Sequence, residues 1–196
     1  MEPIKKIVVL GPESTGKSTL CKRLAEHYKT VWVPEYARKY LEKNGTDYTY
    51  EDLLTIAKGQ IESEERIGRQ LIAGNTSLPG TTERPKDHSK KLFVDTDMYV
   101  MKVWCEFVFN KCHNWILNRI AERKYDLYLL CDVDLAWVPD ELREYPDINT
   151  RKKLFCFYKD LMADQSTPWR LISGSFEERF EKAVTFIENA AASERG

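Results

Sequence analysis

Three features of the sequence predict an α/β fold: a five-stranded, mainly parallel sheet with helices on both faces and a helical lid. Short apolar or β-branched runs alternate with longer segments of helical periodicity, the pattern of a parallel sheet with right-handed crossovers. The first apolar run, Ile7-Val8-Val9-Leu10, leads directly into Gly11-Pro12-Glu13-Ser14-Thr15-Gly16-Lys17-Ser18-Thr19. Two glycines with four residues between them, then Lys and a hydroxyl residue, make the spacing of a phosphate-binding loop between strand and helix. Finally, carboxylates follow the second and third runs at Glu35, Asp95 and Asp97, on the sheet edge where parallel α/β proteins bind ligands.

Taken in order, Ile4 to Leu10 is nearly continuous apolar sequence, as expected of a strand covered on both faces. Lys17 to Tyr28 is predicted helical, with Leu20, Leu24 and Tyr28 on one face. Thr30 to Val33 is a short second strand ended by Pro34. Glu35 to Asn44 repeats Tyr36, Tyr40 and Leu41 at helical spacing and stops at Gly45, a C-terminal cap. Thr49-x-x-Asp52 starts a long helix that runs to about Ala73. Residues 74–90 hold two glycines, two prolines and almost nothing apolar, which reads as a surface loop. Leu92-Phe93-Val94-Asp95 is the third strand, Met98 to Ala121 one or two helices, and Tyr125 to Cys131 the fourth strand. Glu141 to Met162 reads as one helix, Trp169 to Ile172 as the fifth strand, and Phe176 to about Ala191 as the last helix. Together these form one domain over 1–196, with a lid at about 139–163 and the insertion at 74–90.

The 196 residues suffice for a core without disulfides or structural metal. With 30 basic and 31 acidic residues the net charge is −1, so no nucleic acid or anionic membrane is expected as partner, while self-association as a homo-oligomer is left open. Five scattered cysteines without a C-x-x-C pair read as reduced thiols. With no signal peptide and no apolar run of spanning length, the expected location is cytoplasmic.

The loop fits a P-loop NTPase or kinase fold and predicts ATP and Mg²⁺ as cofactors. Gly11, Glu13, Ser14, Thr15, Gly16, Lys17, Ser18 and Thr19 wrap the phosphates, with Lys17 reaching the β/γ-phosphates. Ser18 and Asp95 are the expected metal ligands. Asp97 or Glu35 is the candidate to accept a proton from, or orient, an attacking hydroxyl, and the competing reading of Asp97 is a helix cap. Arg143, Arg151, Lys152 and Lys153 are available to the lid, where a planar guanidinium suits a phosphoryl group in transit. Guanine specificity is not expected, because Asn110-Lys111-Cys112-His113 lacks the acceptor carboxylate of Asn-Lys-x-Asp. Thr96, not Glu, follows Asp95, so the water-activating residue of remodelling ATPases is missing.

Several segments in order resemble the ribosylnicotinamide kinase domain of NadR-type proteins. They are Gly11-x-Glu13-Ser14-x-Gly16-Lys17-Ser18, Glu35-Tyr36-x-Arg38, Ala57-x-Gly59-Gln60, Phe93-Val94-Asp95-Thr96-Asp97, Trp137-x-x-Asp140-x-Leu142-Arg143 and Ser173-x-Ser175-Phe176-x-x-Arg179. The resemblance implies ATP-dependent phosphorylation of the 5′-hydroxyl of nicotinamide riboside. It places Glu35, Tyr36, Arg38, Asp97 and Trp137 near the riboside, Arg143 in the lid, and Ser175 and Phe176 at adenine. The sequence departs from the family at Val33-Pro34, where the family has Trp before the Glu, at Asp140-Glu141 in place of Asp-Gly, and at the 74–90 insertion. Its histidines at 27, 88 and 113 supply no His-x-Gly-His, so the nucleotidylyltransferase step found in such proteins is not expected. The alternatives are a kinase for another nucleoside or nucleotide, and an ATP-binding switch that transfers nothing.

Overall fold

The computed structural model describes residues 4–74 and 91–193, so all of the predicted loop at 74–90 except Gly74 lies outside the described residues. Five strands, β1 (Lys5–Leu10), β2 (Val31–Val33), β3 (Lys91–Asp95), β4 (Leu127–Cys131) and β5 (Trp169–Ile172), pair in the order β2-β3-β1-β4-β5. Every pairing is parallel, which sharpens the mainly parallel sheet expected. Val9 of β1 lies opposite Asp95 of β3, so the chain leaves β1 for the glycine loop beside that carboxylate.

Both faces of the sheet are covered, which is why the strands read as continuous apolar runs. On one face Ile7, Val9, Phe93 and Leu129 pack under α1 (Lys17–His27) and α7 (Phe176–Ser193), through Leu20, Leu24, Ala183 and Ile187. On the other face Val8, Leu10, Val94 and Leu130 meet Val100 and Val103 of α4 (Met98–Phe109) and Leu154, Tyr158 and Met162 of α6 (Ile148–Asp164). A third core stands off the sheet. There α2 (Tyr36–Asn44), α3 (Tyr50–Ile72), α4 and α5 (Asn114–Glu122) bury Ala37, Leu53, Ile56, Met101, Cys105 and Ile116 among themselves.

The end signals act as the sequence implies. Thr49 and Asp52 form a reciprocal capping box on α3, and Gly45 at φ 88° ends α2. The run from Met98 is two helices, broken where Asn110 turns the chain at φ 53°. The lid is corrected: the helix expected from Glu141 begins only at Ile148. Pro146 disfavours helical backbone in the residue before it, and Asp147 caps α6 by accepting from the Thr150 N–H at 2.7 Å. Residues 139–147 therefore form an irregular strap that leads into α6.

Candidate active site

The loop after β1 is shaped by backbone that few residues adopt. Gly11 sits at φ 137°, and a Cβ there would come within 2.7 Å of the Cys131 carbonyl oxygen, so no side chain fits. Ser14 at φ 55° and Gly16 at φ 78° take left-handed backbone, a geometry that suits the gathering of loop N–H groups around an anion. Within the loop Thr15 Oγ1 and Lys17 Nζ both donate to the Pro12 carbonyl, at 2.8 and 2.9 Å. Gly16 is the N-cap of α1 and has no side chain to satisfy the first-turn N–H groups, which leaves them for an anion.

Ser18 Oγ donates to Asp95 Oδ2 at 2.5 Å, closing the loop onto the end of β3. Asp95 is fully buried and its Oδ1 has no hydrogen-bond partner. Burial, reinforced by the Glu35 charge, pushes its pKa up to about 7. Two adjacent oxygen donors, one with an unused buried lone pair, suit a hard divalent cation such as Mg²⁺, which binds few protein oxygens and keeps its remaining places for water and phosphate.

The two candidate carboxylates for the acceptor separate clearly. Glu35 is the N-cap residue of α2, yet its side chain makes no capping bond, and it lines the cleft that opens from the phosphate loop. Asp97 is 2% exposed and does not line that cleft. Its Oδ1 caps α4 through the Tyr99 and Val100 N–H groups at 3.0 and 3.4 Å, and its Oδ2 accepts from the Tyr128 hydroxyl at 3.1 Å. Burial raises its pKa to about 7.

Gln60, buried in α3, fixes the spacing of these groups. Its Oε1 accepts from the Tyr36 N–H at 2.7 Å, while its Nε2 donates to the Asp95 and Thr96 carbonyls at 3.1 and 3.0 Å. The start of α2 is thereby tied to the end of β3. Beside it the Tyr36 ring lies on Gly59, where a Cβ would fall 2.2 Å from the ring. Sequence reading quoted Gly59-Gln60 without assigning either a task. The available signal was a polar residue within the apolar stripe Ile56, Ala57, Ile61 of α3.

The strap closes over the loop through the loop's own side chains. Glu13 Oε2 accepts from the Glu144 and Tyr145 N–H groups at 3.0 and 3.1 Å, and burial raises its pKa against those bonds. Ser14 Oγ accepts from the Val138 N–H at 3.0 Å and from Arg143 Nη1 at 3.4 Å. Arg151, 2% exposed, donates to the Ser14 carbonyl at 3.2 Å and leaves its Nε without a partner. The guanidiniums of Arg143 and Arg151 lie 5.9 and 5.5 Å from the centre of the Trp137 ring, so Trp137 packs against the lid arginines and does not line the cleft. Arg38 does line the cleft and is paired with Asp140 of the strap at 2.8 Å. Beside aliphatic residues such as Leu41, Val100 and Leu154, the cleft wall carries four aromatic rings: Trp104 and Phe107 of α4, Tyr145 of the strap and Tyr158 of α6. None of these four was singled out from the sequence, since each comes from a segment that reads as ordinary amphipathic helix or lid.

On the opposite side of the loop, Phe176 is 49% exposed and stands against Gly16, where a Cβ would meet its ring at 3.0 Å. Ser175 and Glu178 cap the start of α7 reciprocally, the Ser175 N–H donating to Glu178 Oε2 at 2.7 Å and Ser175 Oγ accepting from the Glu178 N–H at 3.3 Å. Neither Ser175 nor Phe176 borders the aromatic cleft. Below them Arg179 spends its guanidinium on the ends of β4 and β5 and on the Thr15 carbonyl of the loop.

A family model described as an AAA domain matches residues 6–179. The chain belongs to that family. This AAA-domain chain is 24% identical over 197 residues to the trifunctional NAD biosynthesis/regulator protein NadR of Escherichia coli strain K12, covering 98% of this chain and 44% of that protein. The NadR of Salmonella typhimurium strain LT2 is likewise 24% identical over 190 residues, covering 94% and 42%. The chain thus spans less than half the length of these relatives. A NadR protein solved in complex with NR matches with a TM-score of 0.72 at 21% identity, over 95% of this chain and 49% of that one. A NadR protein with NAD and AMP-PNP matches at 0.68 and 20%, over 96% and 50%. Thymidylate kinase from Ehrlichia chaffeensis matches at 0.62 and 13%, over 95% and 100%. The fold is that of the P-loop kinases, and the likeness to NadR read from short motifs extends across almost the whole domain. Among the described residues no helix is long and apolar enough to cross a membrane.

Proposed function

We propose that the protein is a Mg²⁺- and ATP-dependent kinase that transfers the γ-phosphoryl group to the 5′-hydroxyl of nicotinamide riboside, giving nicotinamide mononucleotide. One observation carries the reading: a single cleft joins the phosphate loop to a pocket walled by Trp104, Phe107, Tyr145 and Tyr158 with the Glu35 carboxylate at its edge. Aromatic faces beside a carboxylate suit a positively charged pyridinium ring. Arg38 is tied to Asp140, which favours a nucleoside acceptor over a nucleoside monophosphate, whose phosphate would call for a free arginine.

In this reading Lys17 and the loop amides hold the β- and γ-phosphates, and Ser18 with Asp95 would hold Mg²⁺. The cation neutralises charge on the phosphates when bound. Glu35 orients the acceptor hydroxyl and takes its proton; Asp97, with both oxygens engaged, holds α4 in register. Arg143 and Arg151 stabilise charge on the phosphoryl group in transit. Thr96 follows Asp95, so the position that activates water in remodelling ATPases carries no carboxylate, which favours transfer to the acceptor over hydrolysis.

The test is ADP release by the purified chain with Mg·ATP and a panel of ribosides, alongside Lys17→Ala, Glu35→Gln and Asp97→Asn. Expected are stimulation by nicotinamide riboside above other nucleosides, loss of activity in Lys17→Ala, and a fall of roughly 10²-fold or more in kcat for Glu35→Gln. Asp97→Asn keeps its cap and stays within a few-fold of wild type. Stimulation by a different nucleoside alone would keep the kinase and reject this acceptor. Tight ATP binding with no stimulation by any acceptor would replace the kinase with a nucleotide-sensing switch.

A further inference from the structure

Tyr48 lies in the short connection between α2 and α3 and does not line the cleft, yet it joins two of the cleft's walls. Its backbone is set from both sides, because Gly45 ends α2 and Thr49 is the N-cap of α3. The ring is half-buried against the third core, edge-on to Trp104 at 4.9 Å and to Phe109 at 6.4 Å between centroids. Its hydroxyl accepts from Trp104 Nε1 at 2.8 Å and donates to Glu144 Oε2 at 2.8 Å.

An indole has a single N–H and a phenol a single O–H, so each of these bonds uses the only donor its side chain owns. The first fixes the rotation of Trp104, whose ring lines the cleft from α4. The second reaches the strap one residue before Tyr145, which lines the same cleft. Glu144 and Tyr145 are also the residues whose N–H groups donate to Glu13 of the phosphate loop, at 3.0 and 3.1 Å. In addition α4 and the strap meet directly where the Phe107 and Tyr145 rings stand edge to face at 5.2 Å. One hydroxyl thus ties an aromatic face on a rigid helix to an aromatic face on an irregular strap.

We propose that Tyr48 is a positioning residue for the acceptor: its hydroxyl holds Trp104 and the strap that carries Tyr145 at the separation a flat nucleobase-like ring requires. This rests on the aromatic cleft being the acceptor pocket. Tyr48 lines no part of the cleft, so it acts by preorganising two faces, and its loss is felt in acceptor binding and not in the chemical step. Phenylalanine keeps the ring and its packing but removes the partner shared by the Trp104 N–H and the Glu144 carboxylate. Glu144 is exposed and rehydrates at little cost, so the effect falls on the orientation of Trp104 and on the hold over the strap.

The test compares Tyr48→Phe with wild type in the ADP-release assay, using whichever nucleoside stimulates wild type most, and in amide hydrogen exchange without ligand. The acceptor KM is expected to rise about 3- to 10-fold, the worth of one such bond, with kcat and the ATP KM held. The Glu144 and Tyr145 amides exchange faster. Glu144→Ala breaks the same bond from the solvent side and speeds the same two amides. An active Tyr48→Phe with an unmoved acceptor KM, whatever its melting temperature, overturns the proposal, as does unchanged exchange at both amides in the two variants. A wild type that prefers another nucleoside rejects nicotinamide riboside as acceptor, and the KM comparison with that nucleoside still decides the role of Tyr48. A wild type that no acceptor stimulates rejects the kinase and with it the acceptor role, whereas an active wild type beside an unmoved KM rejects Tyr48 alone.

Discussion

Arg179→Met tests how the phosphate loop is anchored. The guanidinium is 2% exposed, and all five of its N–H groups are used. Nε donates to the Gly174 carbonyl at 2.8 Å, Nη1 to the Thr15 and Ile172 carbonyls at 3.2 and 3.1 Å, and Nη2 to the Asp132 carbonyl at 3.1 Å and to the Asp134 carboxylate. Methionine replaces the aliphatic stem but no donor. Two of the acceptors lose little: Asp134 is 37% exposed and rehydrates, and the Ile172 carbonyl keeps the Asp132 N–H at 2.8 Å. Gly174, Thr15 and Asp132 carbonyls lose a charged donor where water enters poorly. Removing one member of such a buried charged network costs about 3–5 kcal/mol. At ~2–4 °C per kcal/mol for a chain of this size, the melting temperature falls by roughly 6–20 °C. Urea and thermal unfolding of the two proteins measure this directly. Arg179→Lys is not a rescue, since an ammonium offers three donors at one point where five fan outward. A loss under about 1 kcal/mol for Arg179→Met would mean that water replaces the arginine, and the argument from five satisfied donors would fail.

Other sites give sharper contrasts. Glu64 is 1% exposed and bonds to Lys6 at 2.8 Å, Arg123 at 2.7 Å and the Tyr125 hydroxyl at 2.8 Å. Burial alone would raise its pKa, but the Arg123 and Lys6 charges outweigh it and hold the carboxyl below the usual 4.5. Its stabilisation is therefore complete above that value and lost as the pH falls through the lowered one; Glu64→Gln costs about 3 kcal/mol at neutral pH, and urea titrations show the gap to wild type narrowing in acid. Gly59→Ala drives a methyl group into the Tyr36 ring, at a cost of about 1–3 kcal/mol, and raises the acceptor KM more than the ATP KM in steady-state assays. Arg38→Ala breaks a pair whose side chains are 45% and 24% exposed, so unfolding shifts by no more than about 1 kcal/mol, while limited proteolysis of the strap accelerates.

What the sequence made legible is what local chemistry dictates. The phosphate loop is set by glycines that need left-handed or crowded backbone, the strands by runs buried on both faces, and the end of α2 by Gly45. The strap was misread as helix because Glu141 to Arg143 has helical composition, and the effect of Pro146 on its neighbours was outweighed. Arg179 carried a signal that went unused: with Ala183 and Ile187 it recurs every four residues on the buried face of α7, so a cation there must have internal partners. Gln60 and the aromatic cleft wall depend on contacts between α3, α4 and α6 and the sheet, and no local pattern encodes those.

The choice between Glu35 and Asp97 shows where local reading ends. Both follow parallel strands, and topology alone puts both on the ligand edge. They are separated by the backbone of one residue. Thr96 adopts φ 75°, a conformation unfavourable for a β-branched side chain, and is held there by its N–H bond to the Val9 carbonyl at 3.2 Å and by Gln60 donating to its own carbonyl at 3.0 Å. That turn directs Asp97 under α4, where two N–H groups and the Tyr128 hydroxyl take its oxygens. Glu35 enters α2 from extended backbone, so its side chain reaches the cleft without a capping duty. The strained turn leaves Asp95 alone at the end of β3, facing Ser18 with one oxygen unused. In the reaction proposed above, strain concentrated at this junction would put holding the cation and receiving the acceptor on different strands.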